Sequence, residues 1–366
     1  MTDDEIFHRA IGNMGLGKRL VREAMPEQTE IAYNQIAEDT QKLIDSARQL
    51  LPGLPQIHFD FVWSGTVNAW AFKEEGRYFV CLTTGTIYLL TLVFMRMLSD
   101  SRLFPTIGNP KEEADDLPPL RGYIPNAEEM YQSGQRFTIP RNNPRRQFAL
   151  SRLRKHALLF LVGHEIAHIT LGHVDYWQSQ FGLAVISELG WGHNNPDKLI
   201  ERQTLEWDAD RRSIFSRIAS IELEHRQPDL PVPLWSNSPE SPGLMIYHFM
   251  FAINTLFRLF GDVRFNSLDL SNSSYPPFPL RRAMAGVTML HAANSIWGPT
   301  LHDVTLHALQ IANKHTEISF AMILGQNISM YGLIDAFSPI GKDHNMRLFK
   351  YMEGGLRERL APFTYE

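Results

Sequence analysis

His156 to His173 reads HALLFLVGHEIAHITLGH. Within it, His164 and His168 are four residues apart, so on a helix they lie on one face, one above the other. That spacing lets both imidazoles reach one tetrahedral zinc ion. Glu165 directly follows the first histidine. It can face a water activated at the metal and serve as its general base. Ala157 to Val162 is apolar, which predicts a buried helix, and Gly172 supplies its stop. The same five residues also suit a buried helix whose histidines satisfy neighbouring carbonyls, so the motif alone leaves both readings open.

Downstream, Asn195-Pro196 predicts a helix start, an amide cap followed by proline. The helix expected from Pro196 to about Ser220 carries Glu206-Trp207-Asp208-Ala209-Asp210. Glu206 and Asp210 share a face. Taken alone they read as a solvated acidic face flanked by Arg211 and Arg212. Joined to the upstream motif, Glu206 becomes a third, carboxylate ligand. Asp210, one turn on, can then hold a ligand histidine by its second nitrogen. The other histidines read as bystanders. His173 is one position off the ligand face, His156 is core, and His248, His302, His307 and His315 are packing or surface groups.

Outward from these helices the chain is mostly helical. Glu27 to Leu51 is a helix closed by Pro52-Gly53. Ile57 to Trp63, Asn68 to Phe72 and Tyr78 to Leu82 alternate as strands, and Lys73-Glu74-Glu75-Gly76 turns the last two into a hairpin. Thr86 to Leu98 reads as a helix. Residues 104–146 have no periodicity and are expected to form a flap near the active site. The helix carrying the histidines is expected over Arg145 to Leu171, and a short helix over Asp175 to Gly190. Leu244 to Gly261, Arg281 to Ser295 and His302 to Phe337 are further helices, the last broken near Gly325 and Gly332.

The chain has 366 residues, 44% of them hydrophobic, and a net charge of −5. That balance argues against nucleic acid or an anionic membrane surface as the main partner. The single cysteine, Cys81, makes no intrachain disulfide and no cysteine zinc site. A cytoplasmic setting fits, and no signal peptide is read at the acidic start, where Thr2 and Glu5 form a capping box. Tyr78 to Met95 is uncharged and reaches the minimum of about 18 residues for a membrane span. With Gly85 and four threonines inside it, it reads as a buried strand, a turn and a helix instead.

His164-Glu-x-x-His168 followed by Glu206-x-x-Ala-Asp210 resembles the gluzincin metallopeptidases, in particular the family of the HtpX heat-shock peptidase and the CAAX prenyl peptidases. Asn68-Ala69-Trp70 and Thr83-Thr84-Gly85 resemble that family's strand and its turn into a helix. Tyr275-Pro276 with Arg281 resembles its later His-Pro motif and arginine. The similarity runs from about Ile57 to Arg282. It implies that Asn68, Ala69 and Trp70 line the cleft and pair with substrate, that Tyr275, where the family has histidine, stabilises the oxyanion, and that Arg281 is a further catalytic residue. The family's membrane helices are missing, and in this respect the chain is similar to the Lit-type phage-exclusion peptidases.

The expectation is an α+β, mainly α fold: a zincin-like helical domain with a small antiparallel sheet. Residues 1–53 would be an N-terminal helical region, 54–295 the catalytic domain and 296–366 a C-terminal helical region. The expected activity is zinc-dependent hydrolysis of peptide bonds in a protein or peptide substrate, without nucleic acid or membrane as partner. A non-catalytic or partner-gated zinc-binding regulator or defence protein is the alternative.

Overall fold

Alternating side chains in residues 57–83 build the sheet, here in a computed structural model. The structure describes residues 1–115, 117–120, 143–182, 185–187, 196–226, 242–261 and 265–365. Strands β1 (Lys18–Arg19), β2 (Ile57–Trp63), β3 (Ala69–Glu74), β4 (Arg77–Thr83) and β5 (Val185–Ser187) lie in the order β1-β2-β4-β3-β5. β3 and β4 are the expected hairpin. Glu75 and Gly76, at φ of 49° and 77°, supply the two left-handed positions of its tight turn.

The sheet is mixed, which corrects the expected antiparallel arrangement. β4 lies between β2 and β3 and runs parallel to β2, with Ile57 opposite Tyr78 and Val62 opposite Thr83. The reason lies in residues 64–68, which do not turn back beside β2 but cross the end of β4. Thr84 Oγ1 donates to the Ser64 carbonyl, and Thr83 and Thr86 hydroxyls donate to that of Asn68. A Cβ on Gly85 would stand 2.4 Å from the Gly65 carbonyl oxygen, so only glycine permits this crossing.

Period-two alternation sends the two faces of the sheet to different partners. Trp70, Phe72, Phe79 and Cys81 pack with Ile6, Phe7, Ala10 and Ile11 of α1 (Asp3–Asn13). Ala69, Ala71, Val80 and Leu82 face the main core. That core draws on α2 (Glu27–Leu50), α3 (Thr84–Leu98), α4 (Pro144–Thr170), α5 (His173–Phe181), α6 (Pro196–Arg226) and α7 (Pro242–Phe260). It also takes residues of α8 (Ser267–Asn272), α9 (Phe278–Trp297), α10 (His302–Leu324), α11 (Tyr331–Phe337), α12 (Pro339–Tyr351) and α13 (Arg357–Leu360). One core thus contains Ile36, Phe160 and Phe320, from all three regions into which the sequence divides.

α4 begins where Asn143 caps it and Pro144 occupies its first turn. Arg146, fully buried, donates to the carbonyls of Leu98, Asp100, Leu103, Phe104 and Ile107. This ties the segment after α3 to the start of α4. The rest of the expected flap, at 116 and 121–142, lies outside the described residues, as does Asn195. The helix expected to run to Gly190 stops at Gly182, and β5 follows. Gly325 ends α10 as expected, whereas Gly332 lies inside α11.

Residues 363–365 return to the far end of α4. The Tyr365 amide and the Thr364 hydroxyl both donate to the Thr170 carbonyl, at 2.9 and 3.2 Å. Gly172, at φ 74°, has the Phe363 backbone so close that a Cβ would meet it at 2.5 Å.

Among the described residues, one helix, Pro242–Phe260, is long and apolar enough to cross a membrane, and 78% of that apolar stretch is buried inside the protein. The bent pair α4–α5 passes the same test only if counted as one span.

Candidate metal centre

α4 and α6 pack side by side and bring the two halves of the motif together. His164 Nε2 lies 3.0 Å from His168 Nε2 and 3.3 Å from Glu206 Oε2. His168 Nε2 lies 3.7 Å from Glu206 Oε1. All three residues are at most 1% exposed. Zinc–ligand bonds near 2.0–2.1 Å in a tetrahedron imply ligand–ligand edges of about 3.3 Å, and the three distances bracket that value.

The outer nitrogens are held. His164 Nδ1 is 2.9 Å from Asp210 Oδ1 and therefore carries the proton, leaving a lone pair on Nε2. Asp210 in turn receives Nε and Nη2 of Arg281, each at 2.8 Å. Burial alone would raise the Asp210 carboxyl; the Arg281 guanidinium and then His164 outweigh it and hold it below its ordinary range. His168 Nδ1 lies 3.0 Å from His173 Nδ1, and His173 Nε2 lies 3.7 Å from Asp208. Burial first, then the neighbouring His164 and His173, hold the His168 imidazole well below the usual histidine range, so it stays neutral.

These residues fit a divalent cation. Two imidazole nitrogens and a carboxylate converge in a buried interior. Neither oxygen of Glu206 accepts a hydrogen bond from the described residues. Such a set of buried acceptors is costly unless a cation sits among them. A second acidic cluster, Asp4, His58 and Asp60, is different, because Arg19 pairs with both carboxylates.

Glu165, 1% exposed, directly follows His164 on α4. Arg281 is fully buried against Asp210, and its Nη1 lies 3.9 Å from Glu206. Tyr275, 8% exposed, accepts a hydrogen bond from Arg202 Nη2. Asn68, Ala69 and Trp70 do not form a free edge. β5 pairs antiparallel to β3 over Trp70–Phe72, the Asn68 amide and carbonyl bond to Thr83 and Thr86, and the Ala69 amide donates to the Asn68 side chain. The backbone groups expected to take a substrate strand are therefore already used along this stretch.

Two residues escaped the sequence reading. His173 was set aside by helical spacing, but Gly172 ends α4, so helical spacing no longer applies to it. Arg202 stands four residues before Glu206, the same interval that singled out Asp210 on the other side. No family model, no curated protein and no solved structure matches the chain.

Proposed function

We propose that this chain is a zinc-dependent metalloendopeptidase that hydrolyses peptide bonds in a protein substrate. The observation that carries the reading is the meeting, from two separate helices, of His164, His168 and Glu206, with Glu165, also buried, directly following His164 in the sequence. His164, His168 and Glu206 would hold the ion. When bound, zinc supplies a Lewis acid that polarises a carbonyl and acidifies water. The work of the chain itself follows from its atoms. Asp210 and His173 fix the tautomers of the two histidines, so that each keeps its Nε2 lone pair. Glu165 takes a proton from the attacking water and returns it to the leaving amine. A structural site would need no such base, which favours catalysis over a purely architectural role. The motif resemblance to the HtpX and CAAX prenyl peptidases supports the same reaction class.

The test is a cleavage screen on a cell extract with the wild-type chain beside Glu165→Gln, with zinc content measured in both. Cleavage products that depend on Glu165 while zinc content stays equal support the reading. Equal products from both chains overturn it.

A further inference from the structure

We infer that the cavity between residues 104–107, α7 and α10 binds an uncharged aromatic compound with one hydrogen-bond-accepting oxygen, and that His315 is the donor to that oxygen. The cavity shares no residue with the metal centre, and the inference does not depend on the peptidase reading. Its volume is about 690 Å³, within the range of about 300–1,000 Å³ for small-molecule sites. Phe104, Tyr247, His248, His307 and His315 line it, so a flat ring finds other rings to pack on. No lysine, arginine, aspartate or glutamate lines it among the described residues. A charged ligand would therefore be desolvated without an opposite charge.

The polar atom that gives this cavity direction is Nε2 of His315. The His315 ring centre lies 4.8 Å from that of Phe104, 5.3 Å from that of Phe251 and 6.0 Å from that of Tyr247, whose ring is inclined to it by only 16°. The Tyr247 hydroxyl is bonded to His315 Nδ1. Burial raises the Tyr247 phenol, so it keeps its proton and donates it. Burial first, then His248, holds His315 at about 4, so its imidazole is neutral at neutral pH. With Nδ1 accepting, the one ring proton sits on Nε2. Nε2 has no hydrogen-bond partner among the described residues, and it is not sealed from solvent. For a ring walled by three others, solvent reaches it through the cavity that it lines.

Phe104 is a second, independent observation. Its φ is 54°, a left-handed conformation that phenylalanine rarely adopts and that persists only where neighbours enforce it. Arg146 enforces it. Its Nη2 donates to the Leu103 and Phe104 carbonyls and its Nε to that of Ile107, each at 3.0 Å. The bend sets the Phe104 ring against His315, so a strained backbone holds a donor that has nothing to donate to. The same bonds use the Phe104 and Ile107 carbonyls. An extended peptide would find little backbone to pair with there, which favours a small molecule recognised through side chains.

The experiment titrates the full chain with three probes of similar shape, acetophenone, ethylbenzene and benzoate, by calorimetry, and follows the His315 ring nitrogens by NMR. Acetophenone should bind about three- to tenfold tighter than ethylbenzene, the worth of one neutral hydrogen bond, and shift the Nε2 resonance. Benzoate should bind at least about tenfold more weakly than acetophenone. His315→Phe keeps a ring and removes the donor, so it should abolish the preference for acetophenone while ethylbenzene still binds. Ile311→Asp places a charge at the cavity from a position that is 43% exposed and so tolerates it, and it should weaken both neutral probes at least about tenfold. Melting temperatures check that both variants fold. If His315→Phe does not, the order of the probes on wild type and the Nε2 shift still decide. No acetophenone binding at millimolar concentration overturns the inference, as does an Nε2 resonance that stays in place. So does a preference that survives His315→Phe, or binding untouched by Ile311→Asp, which would put the probe in the apolar groove between α9, α10 and α11. Benzoate bound as tightly as acetophenone overturns the uncharged class.

Discussion

The Nδ1 atoms of His168 and His173 lie 3.0 Å apart, and only one proton fits between them. If His168 is to present a lone pair at Nε2, that proton must be its own. His173 then accepts, and its remaining proton sits on Nε2, toward Asp208 at 3.7 Å. A histidine that binds no metal thus sets the tautomer of one that would.

His173→Ala should therefore weaken zinc affinity by roughly 10–100-fold without lowering stoichiometry at saturating metal. Competition against a chromogenic chelator reads this directly. An affinity equal to wild type would reduce the pair to a packing contact.

Asp210→Ala should weaken zinc to a similar degree but also destabilise the fold. Removing the carboxylate leaves the buried Arg281 without its two bonds at 2.8 Å. Breaking a buried ion pair costs about 3–5 kcal/mol. Chemical denaturation of the zinc-free protein separates the two effects, because the stability loss must persist without metal.

His168→Ala should reduce bound zinc from about one ion per chain to near none, since three protein ligands are the usual minimum for a site that keeps a position open. Metal analysis after desalting is the measurement. A folded His168→Ala protein with undiminished zinc would mean that the ion sits elsewhere.

Stability of the zinc-free protein should fall as pH drops from 6.5 to about 4. Burial first, and then His248, holds His315 at about 4; burial and then Arg347 hold His344 at about 4. In the unfolded chain both take protons near 6.5. Between those values the unfolded state binds more protons, so the stabilisation is complete above 6.5 and is lost through the folded value. The slope reaches at most about 1.4 kcal/mol per pH unit for each group. Melting temperatures across this range, with His344→Gln as the flatter control, check it. His344 now donates to Gln203 at 2.6 Å, a bond that neutral imidazole can make.

The helices and the clustering of His164, His168 and Glu206 were legible because they rest on local spacing. Four-residue intervals set His164 with His168 and Glu206 with Asp210 whatever the rest of the chain does. Alternation marked β2, β3 and β4 but carried no information on their order. The crossing of residues 64–68 depends on Gly85 and on threonine hydroxyls reaching back to Ser64 and Asn68, contacts without a period. The same limit hid His173, whose place is fixed by the turn at Gly172, and the pairing of Arg202 with Tyr275 across 73 positions. Arg281 was found by its motif spacing, but spacing does not tell that its guanidinium pairs with Asp210.

The bonds from Thr364 and Tyr365 to the Thr170 carbonyl have a meaning in time. A ribosome adding about 5–20 residues per second needs roughly 10–40 s to travel the 194 positions from Thr170 to Thr364. Throughout that interval α4 can form while the turn that carries His173 lacks its last support. The proposed hydrolytic centre stays unfinished during just the period when its own nascent chain is extended and most open to cleavage.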